Sequence, residues 1–212
     1  MRSGGGWSSH NLREVNPRVV IALAVVAVSA LGAIVLAAPK DEGKTSGPRR
    51  FEGAVLPAGL RAPDFTLTDQ DGKRISMRSF RGSPVIVTFL YTTCEDTCPT
   101  QAQQVKGALA ELGDDVPAVA VAVDPPRDSP ARARAFLSEQ RMTGRMSFAL
   151  GTRAELRPVW DGFAVQPQRD DLEHTGRFVL VDRRGRQRVG FPLGEATPER
   201  LAHDIRLLDK GT

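Results

Sequence analysis

The sequence predicts an α/β domain in which helices cover both faces of a central sheet, preceded by a membrane-spanning helix. Two apolar runs rich in β-branched residues, 84–91 and 117–123, have the length and composition of buried strands. The residues between them follow a helical period over 99–112 and stop at Gly113. A strand, a helix and a second buried strand in this order predict a parallel pair at the centre of the sheet. A separate uncharged run, 19–38, predicts the membrane span.

The run 19–38 is apolar except for Ser29. As a helix rising about 1.5 Å per residue it is about 30 Å long, which matches the hydrocarbon thickness of a bilayer. Three arginines and a single acidic residue, Glu14, precede it, so the positive-inside rule places the amino terminus in the cytoplasm. The alternative is a cleaved signal peptide, but its apolar region is normally about 7–15 residues long. The longer run, followed by Pro39, favours an uncleaved anchor.

We therefore expect a single-pass protein of the cell membrane whose carboxy-terminal domain lies outside the cytoplasm. The expected segments are a cytoplasmic tail (1–18), a transmembrane anchor (19–38), a flexible polar linker (39–54) and an exported catalytic or binding domain (55–212). The net charge is +4, but basic and acidic residues are interspersed and there is one tyrosine. This pattern predicts a mixed solvated surface and no nucleic-acid partner.

Turn and capping residues place the other elements of the domain. The predicted strands are 64–68, 73–76, 84–91, 117–123, 147–150, 177–181 and 187–191. The predicted helices are 99–112, 130–140, 152–163 and 198–209. The last two strands form a hairpin, and the final helix follows it.

The chain has two cysteines, Cys94 and Cys98, and both lie between the first central strand and its helix. A helix amino terminus stabilises thiolate, which is the form that binds soft metals and attacks disulfides. A structural disulfide here would close a very short loop and be worth only about 2 kcal/mol. A pair of inert core cysteines is the other alternative, but Glu95 and Asp96 predict an exposed turn. A dithiol at this turn of this topology predicts a thioredoxin-like, three-layer α/β/α sandwich, although three residues separate the cysteines instead of two.

One of the three histidines is a candidate third ligand. His10 lies in the predicted tail, and His203 lies in the final helix, where we expect an ordinary surface or half-buried residue. His174 precedes the strand 177–181, and in a thioredoxin-like fold that loop lies beside the dithiol turn. A loop histidine taken alone is more often a surface residue. An imidazole near two thiolates suits copper or zinc.

Several segments in order resemble the Sco/SenC family, whose members are membrane-anchored copper chaperones for cytochrome c oxidase assembly. The motif C-x-x-x-C-P occupies 94–99, and D-P-x-R-D-S-P occupies 124–130. The opening strand with its turn, 62–72, and the segment 174–185 also resemble the family. The resemblance covers about residues 55–210. Two departures are Glu95, where the family usually has proline, and Glu173, where the family often has aspartate.

The resemblance implies that Cys94, Cys98 and His174 are metal ligands and that the cargo is copper. The two cysteines would be able to form a disulfide when free of metal. The implied partner is subunit II of cytochrome c oxidase or another exported copper protein, and no enzyme activity is expected. The alternative function is a thiol-disulfide oxidoreductase that uses Cys94 and Cys98 to reduce an exported target. A non-catalytic exported domain with a structural disulfide is a third possibility. A ligand role for His174 would exclude both this possibility and the oxidoreductase.

Two further expectations concern charge near the cysteines. Glu95 and Asp96 should oppose thiolate formation in the metal-free protein and favour a bound cation. Asp124 and Asp128 are expected to order their loop and not to bind metal. Asp128 is expected to cap the helix that begins at 130, and Arg127 (part of the same loop) to pair with a carboxylate.

Overall fold

The structure is a computed structural model that describes residues 50–113, 116–168 and 176–211. These residues belong to one of two compact units, Gly47–Thr212. The predicted tail, the anchor and most of the linker lie outside the described residues. Within the described ranges, no helix is long and apolar enough to cross a membrane.

The described residues form eight strands, four helices and two short 3-10 turns. The strands are β1 (Ala54–Val55), β2 (Thr66–Thr68), β3 (Arg74–Ser76), β4 (Val85–Leu90), β5 (Ala118–Ala122), β6 (Ser147–Ala149), β7 (Arg177–Val181) and β8 (Gln187–Pro192). The helices are α1 (Thr97–Leu112), α2 (Pro130–Glu139), α3 (Arg153–Gly162) and α4 (Pro198–Asp209). The 3-10 turns are Met77–Phe80 and Leu193–Glu195. All predicted helices and strands of the domain are present, with bounds that differ by one to two residues at most ends.

Six strands form the main sheet in the order β1-β8-β7-β4-β5-β6. Strands β4, β5 and β6 are parallel, while β7 is antiparallel to both β4 and β8. The predicted parallel pair and the predicted hairpin are therefore confirmed. The two-residue strand β1, which was not predicted, pairs with β8 at the edge. Strands β2 and β3 form a separate hairpin, which is joined to the end of β6 by two hydrogen bonds between Thr68 and Leu150.

Alternation along β4 divides the core into the two layers on either side of the sheet. Thr88 faces α1, where its hydroxyl reaches Gln101, and α4 packs beside α1. The next residue, Phe89, points to the opposite face and packs edge-on against Phe163 at the end of α3, with ring centroids 5.4 Å apart. Every residue of β4 is buried. Helices on both faces of the sheet confirm the predicted three-layer α/β/α sandwich.

The helix caps mostly follow the predicted chemistry. Thr152 and Glu155 form the predicted capping box of α3, and α1 ends at Gly113 in the left-handed region, with φ of 86°. The expectation that Asp128 caps α2 is wrong. Ser129 is the cap, because its Oγ accepts the N–H of Arg132 at 3.3 Å. Asp128 is then free to bond elsewhere, as described below.

Candidate metal centre

The two sulfur atoms lie at the amino terminus of α1, which follows the central strand β4. The helix begins at Thr97, two residues earlier than predicted, so Cys98 lies in its first turn and Cys94 in the loop before it. The backbone N–H of Cys98 donates to Cys94 Sγ at 3.2 Å, and Thr97 Oγ1 lies 3.3 Å from the same sulfur. Both cysteines are free thiols. The loop and the first helical turn thus bring the two cysteines into direct contact through hydrogen bonding.

Both cysteines are more buried than we expected from the two acidic residues that lie between them. Glu95 and Asp96 are exposed, as expected for a turn. Cys94 is only 9% exposed and Cys98 is fully buried. The reason is the helical period: Cys98 shares the inward face of α1 with Ala102 and other core residues. The expectation of an exposed turn therefore holds for the carboxylates but not for the thiols.

Burial raises the pKa of Cys94, but hydrogen bonds to its sulfur outweigh this effect and lower the pKa to about 7. The bonds come from the Thr97 side chain and the backbone N–H of Cys98. The expectation that Glu95 and Asp96 oppose the Cys94 thiolate is therefore wrong. Their side chains extend into solvent, where screening weakens their effect, while donors in contact with the sulfur act directly.

Burial raises the pKa of Cys98 well above its usual range. A backbone hydrogen bond near Tyr91 opposes this shift, whereas the neighbouring Cys94 sulfur and the Asp128 carboxylate increase it. Two thiols in contact therefore differ in acidity: near neutral pH, Cys94 loses its proton far more readily than Cys98. Only Cys94 is available as an attacking thiolate in the metal-free protein, and Cys98 must lose a proton to bind metal.

The loop after β5 holds the cysteine loop in place. Asp128 is buried, and its two carboxylate oxygens accept the N–H of Thr92 at 2.7 Å and the N–H of Asp124 at 3.1 Å. Arg127 pairs with Asp124 at 2.9 Å, as expected. Burial raises the pKa of Asp128 to about 6, although its hydrogen bonds oppose the shift. The expected loop-ordering role of these carboxylates is confirmed, and it extends to the loop that carries Cys94.

Cys94 opens into a pocket of about 420 Å³ at the carboxyl end of β4. The pocket is lined by Tyr91, Thr93, Cys94, Glu95, Asp96, Thr97, Gly176 and Leu193. Gly176, which directly precedes β7, belongs to a different part of the chain from the cysteine loop. The pocket therefore joins the dithiol turn to the residue that follows the predicted histidine loop.

The two remaining histidines of the domain have different outcomes. His174 lies outside the described residues. His203 lies on α4, half-buried, with Nδ1 2.9 Å from Asp204 Oδ1, as expected for an ordinary residue. In the described ranges, no group of three His, Cys, Asp or Glu side chains is arranged to hold a metal. Of the three predicted ligands, the described residues thus bring together Cys94 and Cys98.

Sequence reasoning assigned no role to Thr97 or Gln101, which both bear on this site. Thr97 is the first residue of α1 and contacts Cys94 Sγ. Gln101 is fully buried beside the site, on the face of α1 that also carries Cys98. The position of Gln101 was a usable signal, because an amide at a core position of an amphipathic helix needs a polar partner.

The fold and the site define a thioredoxin-like protein with one acidic and one buried thiol at the start of a helix. The family model for SCO1/SenC matches residues 56–208 of the chain. Protein SenC of Rhodobacter capsulatus is 31% identical over 206 residues, which cover 92% of this chain and 90% of that protein. The chain belongs to the SCO1/SenC family, and the resemblance found in the sequence is confirmed.

Solved structures agree with the family. ScoI of Bradyrhizobium japonicum, with copper bound, is 34% identical and superposes with a TM-score of 0.60, covering 70% of this chain and 99% of that one. BsSco, a member of the Sco family of cytochrome c oxidase assembly proteins, is 22% identical with a TM-score of 0.64, covering 75% of this chain and 99% of that one. The second likeness supports the fold alone.

Proposed function

We propose that this protein is a membrane-anchored, extracytoplasmic copper metallochaperone that assists assembly of the copper site of cytochrome c oxidase. The observation that carries the proposal is the contact between Cys94 and Cys98 at the start of α1, with Cys94 opening into the pocket. The copper is cargo that is received and passed on. Its target would be subunit II of the oxidase or another exported copper protein.

Copper suits the donor set. Thiolates are soft ligands that select copper, whereas a structural zinc site normally takes four protein ligands. Two related proteins also support copper. ScoI of B. japonicum is 34% identical and has copper bound, and a protein of Stutzerimonas stutzeri named as copper-binding is 32% identical over 143 residues, 60% of this chain and 67% of that one.

His174 is the proposed third ligand, with Cys94 and Cys98. The support comes from Gly176, which lines the same pocket as Cys94. His174 is two residues before Gly176 in the chain, and two residues span at most about 7 Å. A histidine at this sequence position can therefore supply an imidazole to the pocket.

The proposed anchor is the uncharged run 19–38, with the tail 1–18 in the cytoplasm and the domain 55–212 outside, joined by the linker 39–54. Its support is the length of the apolar run and the arginines before it. The alignment with SenC covers 92% of the chain. Because residues 56–212 are only about three quarters of the chain, that alignment extends into the amino-terminal region.

The ligand set is tested by measuring copper(I) affinity in the reduced full-length chain, purified in detergent, against a competing chelator. We expect one copper per chain, and weaker binding in each of Cys94→Ser, Cys98→Ser and His174→Ala. His203→Ala is the matched control, since this histidine lies on α4 and bonds to Asp204. It should bind copper as the wild type does. Unchanged affinity in His174→Ala would remove this residue from the ligand set and favour the alternative function.

That alternative, a thiol-disulfide oxidoreductase, is favoured by the unequal acidity of the two thiols. The Cys94 thiolate would attack a target disulfide, one target sulfur leaving as thiolate and the other forming a mixed disulfide. Cys98, once deprotonated, would then attack Cys94 Sγ, which releases the reduced target and leaves Cys94 and Cys98 joined. Rapid reduction of a disulfide peptide by the metal-free protein, together with a His174→Ala variant of full activity, would support this function over copper delivery.

A further inference from the structure

One end of the main sheet is formed by three segments that are rich in arginine. Together they contain seven arginines and one acidic residue, whereas the whole chain has 29 basic and 25 acidic residues. The segments are far apart in the sequence, so the excess of positive charge arises only when the fold brings them together. We call this surface the basic end; its segments are 55–62, 78–84 and 182–188.

Main-chain hydrogen bonds hold the three segments against one another. The N–H of Gly82 donates to the carbonyl oxygen of Arg183, and the N–H of Ala62 donates to that of Gly185, both at 3.0 Å. The guanidinium of Arg81 lies against Gly185, where an added Cβ would be 2.7 Å from Arg81 Cζ. The backbone of the basic end is therefore part of the folded domain and presents its arginines from fixed positions.

The positive charge of the basic end is only partly neutralised. Among the described residues, the side chains of Arg61, Arg184 and Arg186 have no carboxylate partner. The first two are exposed and the third is half-buried. The acidic residue of these segments, Asp182, is buried; it accepts the N–H groups of Arg184 and Arg186 at 2.9 Å and pairs with Arg188 at 3.4 Å. The surface therefore offers guanidinium groups to an anionic partner.

Two exposed apolar side chains belong to the same surface. Among the described residues, the large apolar side chains that are exposed are those of Val55 and Leu60, at 65% and 39%. Both lie in the segment 55–62, which is joined to the start of β8 because the carbonyl oxygen of Leu60 accepts the N–H of Gln187 at 2.8 Å. Basic side chains next to exposed apolar ones are typical of surfaces that bind at the interface of an anionic bilayer.

The basic end and the cysteine pocket lie at opposite ends of β4. The strand ends at Leu90, shortly before Cys94. Val181, the last residue of β7, pairs with Val85 at the start of β4, so the turn 182–186 lies beside that start. Six strand residues separate the two ends by about 20 Å. A partner bound at the basic end therefore leaves the pocket open.

We propose that the basic end docks on the anionic phospholipid headgroups of the membrane, with Val55 and Leu60 entering the headgroup layer and the cysteine pocket directed away from the bilayer. This inference rests on the proposed anchor, because the segment 55–62 directly follows the linker and a tether raises the local concentration of lipid. An acidic protein is the competing partner. The membrane is favoured because arginines and exposed apolar side chains occur together, and because a protein that exchanges copper must reach the opposite end.

The test places a fluorescent reporter in the basic end of the full-length chain, reconstituted in vesicles. Leu60→Trp is made in a Trp7→Phe background, in which the remaining Trp160 is buried. A nitroxide lipid should quench its emission in vesicles of phosphatidylglycerol and phosphatidylcholine, but not in phosphatidylcholine alone or in about 1 M salt. Ala154→Trp is the matched control, since this exposed residue lies at the start of α3, at the pocket end. It should not be quenched in either lipid.

Removal of charge tests the arginines. In the Leu60→Trp chain, Arg61→Gln with Arg184→Gln should lower the ratio of docked to undocked protein about 25-fold, about fivefold for each arginine. Arg132→Gln with Arg153→Gln removes the same charge from exposed positions at the starts of α2 and α3 and should leave the ratio unchanged. Copper(I) affinity should equal that of the wild type in both double variants. Failure of the docking surface and failure of the proposed copper function are therefore separate results.

Quenching that persists in phosphatidylcholine alone, or after both arginines are replaced, would overturn the proposal, because the introduced tryptophan would then cause the contact. Absence of quenching in the anionic vesicles would also overturn it. Binding of polyglutamate to the wild type, but not to the variant without both arginines, would then assign the basic end to an acidic protein. If 19–38 proves to be a cleaved signal, the mature chain mixed with the same vesicles is measured instead, and the same outcomes decide.

Discussion

At Cys94, contacts within a few ångströms decide the acidity of the thiol. Burial alone would raise its pKa, but two donors at 3.2 and 3.3 Å from the sulfur lower it to about 7. Exposed carboxylates on the neighbouring residues Glu95 and Asp96 do not reverse this. A charged acceptor in a buried site gains more from direct hydrogen bonds than it loses to charges screened by water.

Thr97→Val should therefore make Cys94 less acidic. Valine has the shape of threonine but lacks the hydroxyl, and a hydrogen bond to a charged group is worth about 1.5–3 kcal/mol. Its loss should raise the pKa of Cys94 by about one. The measurement is the rate of alkylation of the reduced, metal-free protein against pH. Thr100→Val is the control, because Thr100 bonds to the carbonyl oxygen of Asp96 and not to sulfur; an equal shift in both variants would contradict the assignment.

Copper(I) affinity should rise with pH, and its slope should change near pH 7. Binding requires both thiolates, so copper competes with protons. Above the pKa of Cys94, which is about 7, one proton leaves, from Cys98, and the affinity should rise about tenfold per pH unit. Below pH 7 Cys94 is protonated too, so the slope should be steeper. Competition titrations over a range of about pH 6 to 8.5 would show this. A copper(I) affinity that does not change with pH would mean that thiolates are not the ligands.

At the scale of elements, the site depends on two loops that meet at the carboxyl ends of β4 and β5. The carboxylate of Asp128 joins them, because it accepts one N–H from each loop. The cap of α2 is left to Ser129. Asp128 therefore connects two loops, whereas the adjacent Ser129 caps a helix.

Asp128→Ala should destabilise the protein by about 2 kcal/mol, since two backbone N–H groups lose their acceptor. Ser129→Ala, the control, loses only a helix cap and should cost about 1 kcal/mol. Denaturant unfolding of the reduced protein would measure both. Asp128→Ala should also change the alkylation rate of Cys94, which Ser129→Ala should not. Equal effects of the two variants on unfolding and alkylation would mean that Asp128 does not hold the cysteine loop.

The Asp128 effect should also depend on pH. Its pKa is raised in the folded protein to about 6, so folding favours the protonated form. This preference stabilises the folded protein below the unfolded-state pKa of about 4. The added stability is lost as the pH rises through the folded-state pKa of about 6. The difference in the free energy of unfolding between wild type and Asp128→Ala should therefore be larger at about pH 4 than at about pH 7.5. A difference that grows with pH would contradict the raised pKa.

At the scale of the whole molecule, the proposed anchor would place the domain at a membrane surface. The full-length chain should stay in the membrane fraction after alkaline carbonate washing, and its carboxy-terminal domain should be accessible from outside the cytoplasm. A chain starting at Gly47, which retains the compact unit Gly47–Thr212, should be released as soluble protein. Recovery of a soluble protein that begins near Pro39 from the full-length gene would show that 19–38 is a cleaved signal.

Much of the fold and the core of the site followed from the sequence because their signals are local. Hydrophobic runs marked β4 and β5, while Thr152 with Glu155 and Gly113 marked helix ends, each through contacts a few residues apart. The motif C-x-x-x-C-P also lies within one short stretch of sequence. It was enough to single out Cys94 and Cys98 and to indicate the family.

Tertiary structure alone decided what surrounds those cysteines. The N–H that Asp128 accepts from Thr92 joins residues 36 positions apart, and the approach of Gln101 to Gly176 depends on β7 lying beside β4. The pairing of β1 with β8 is equally non-local. Burial and hydrogen bonds between distant segments follow from the order of strands in the sheet, which no short stretch of sequence contains. For this reason the sequence was enough to single out the two candidate thiols, whereas the fold determined which of the two is the more acidic.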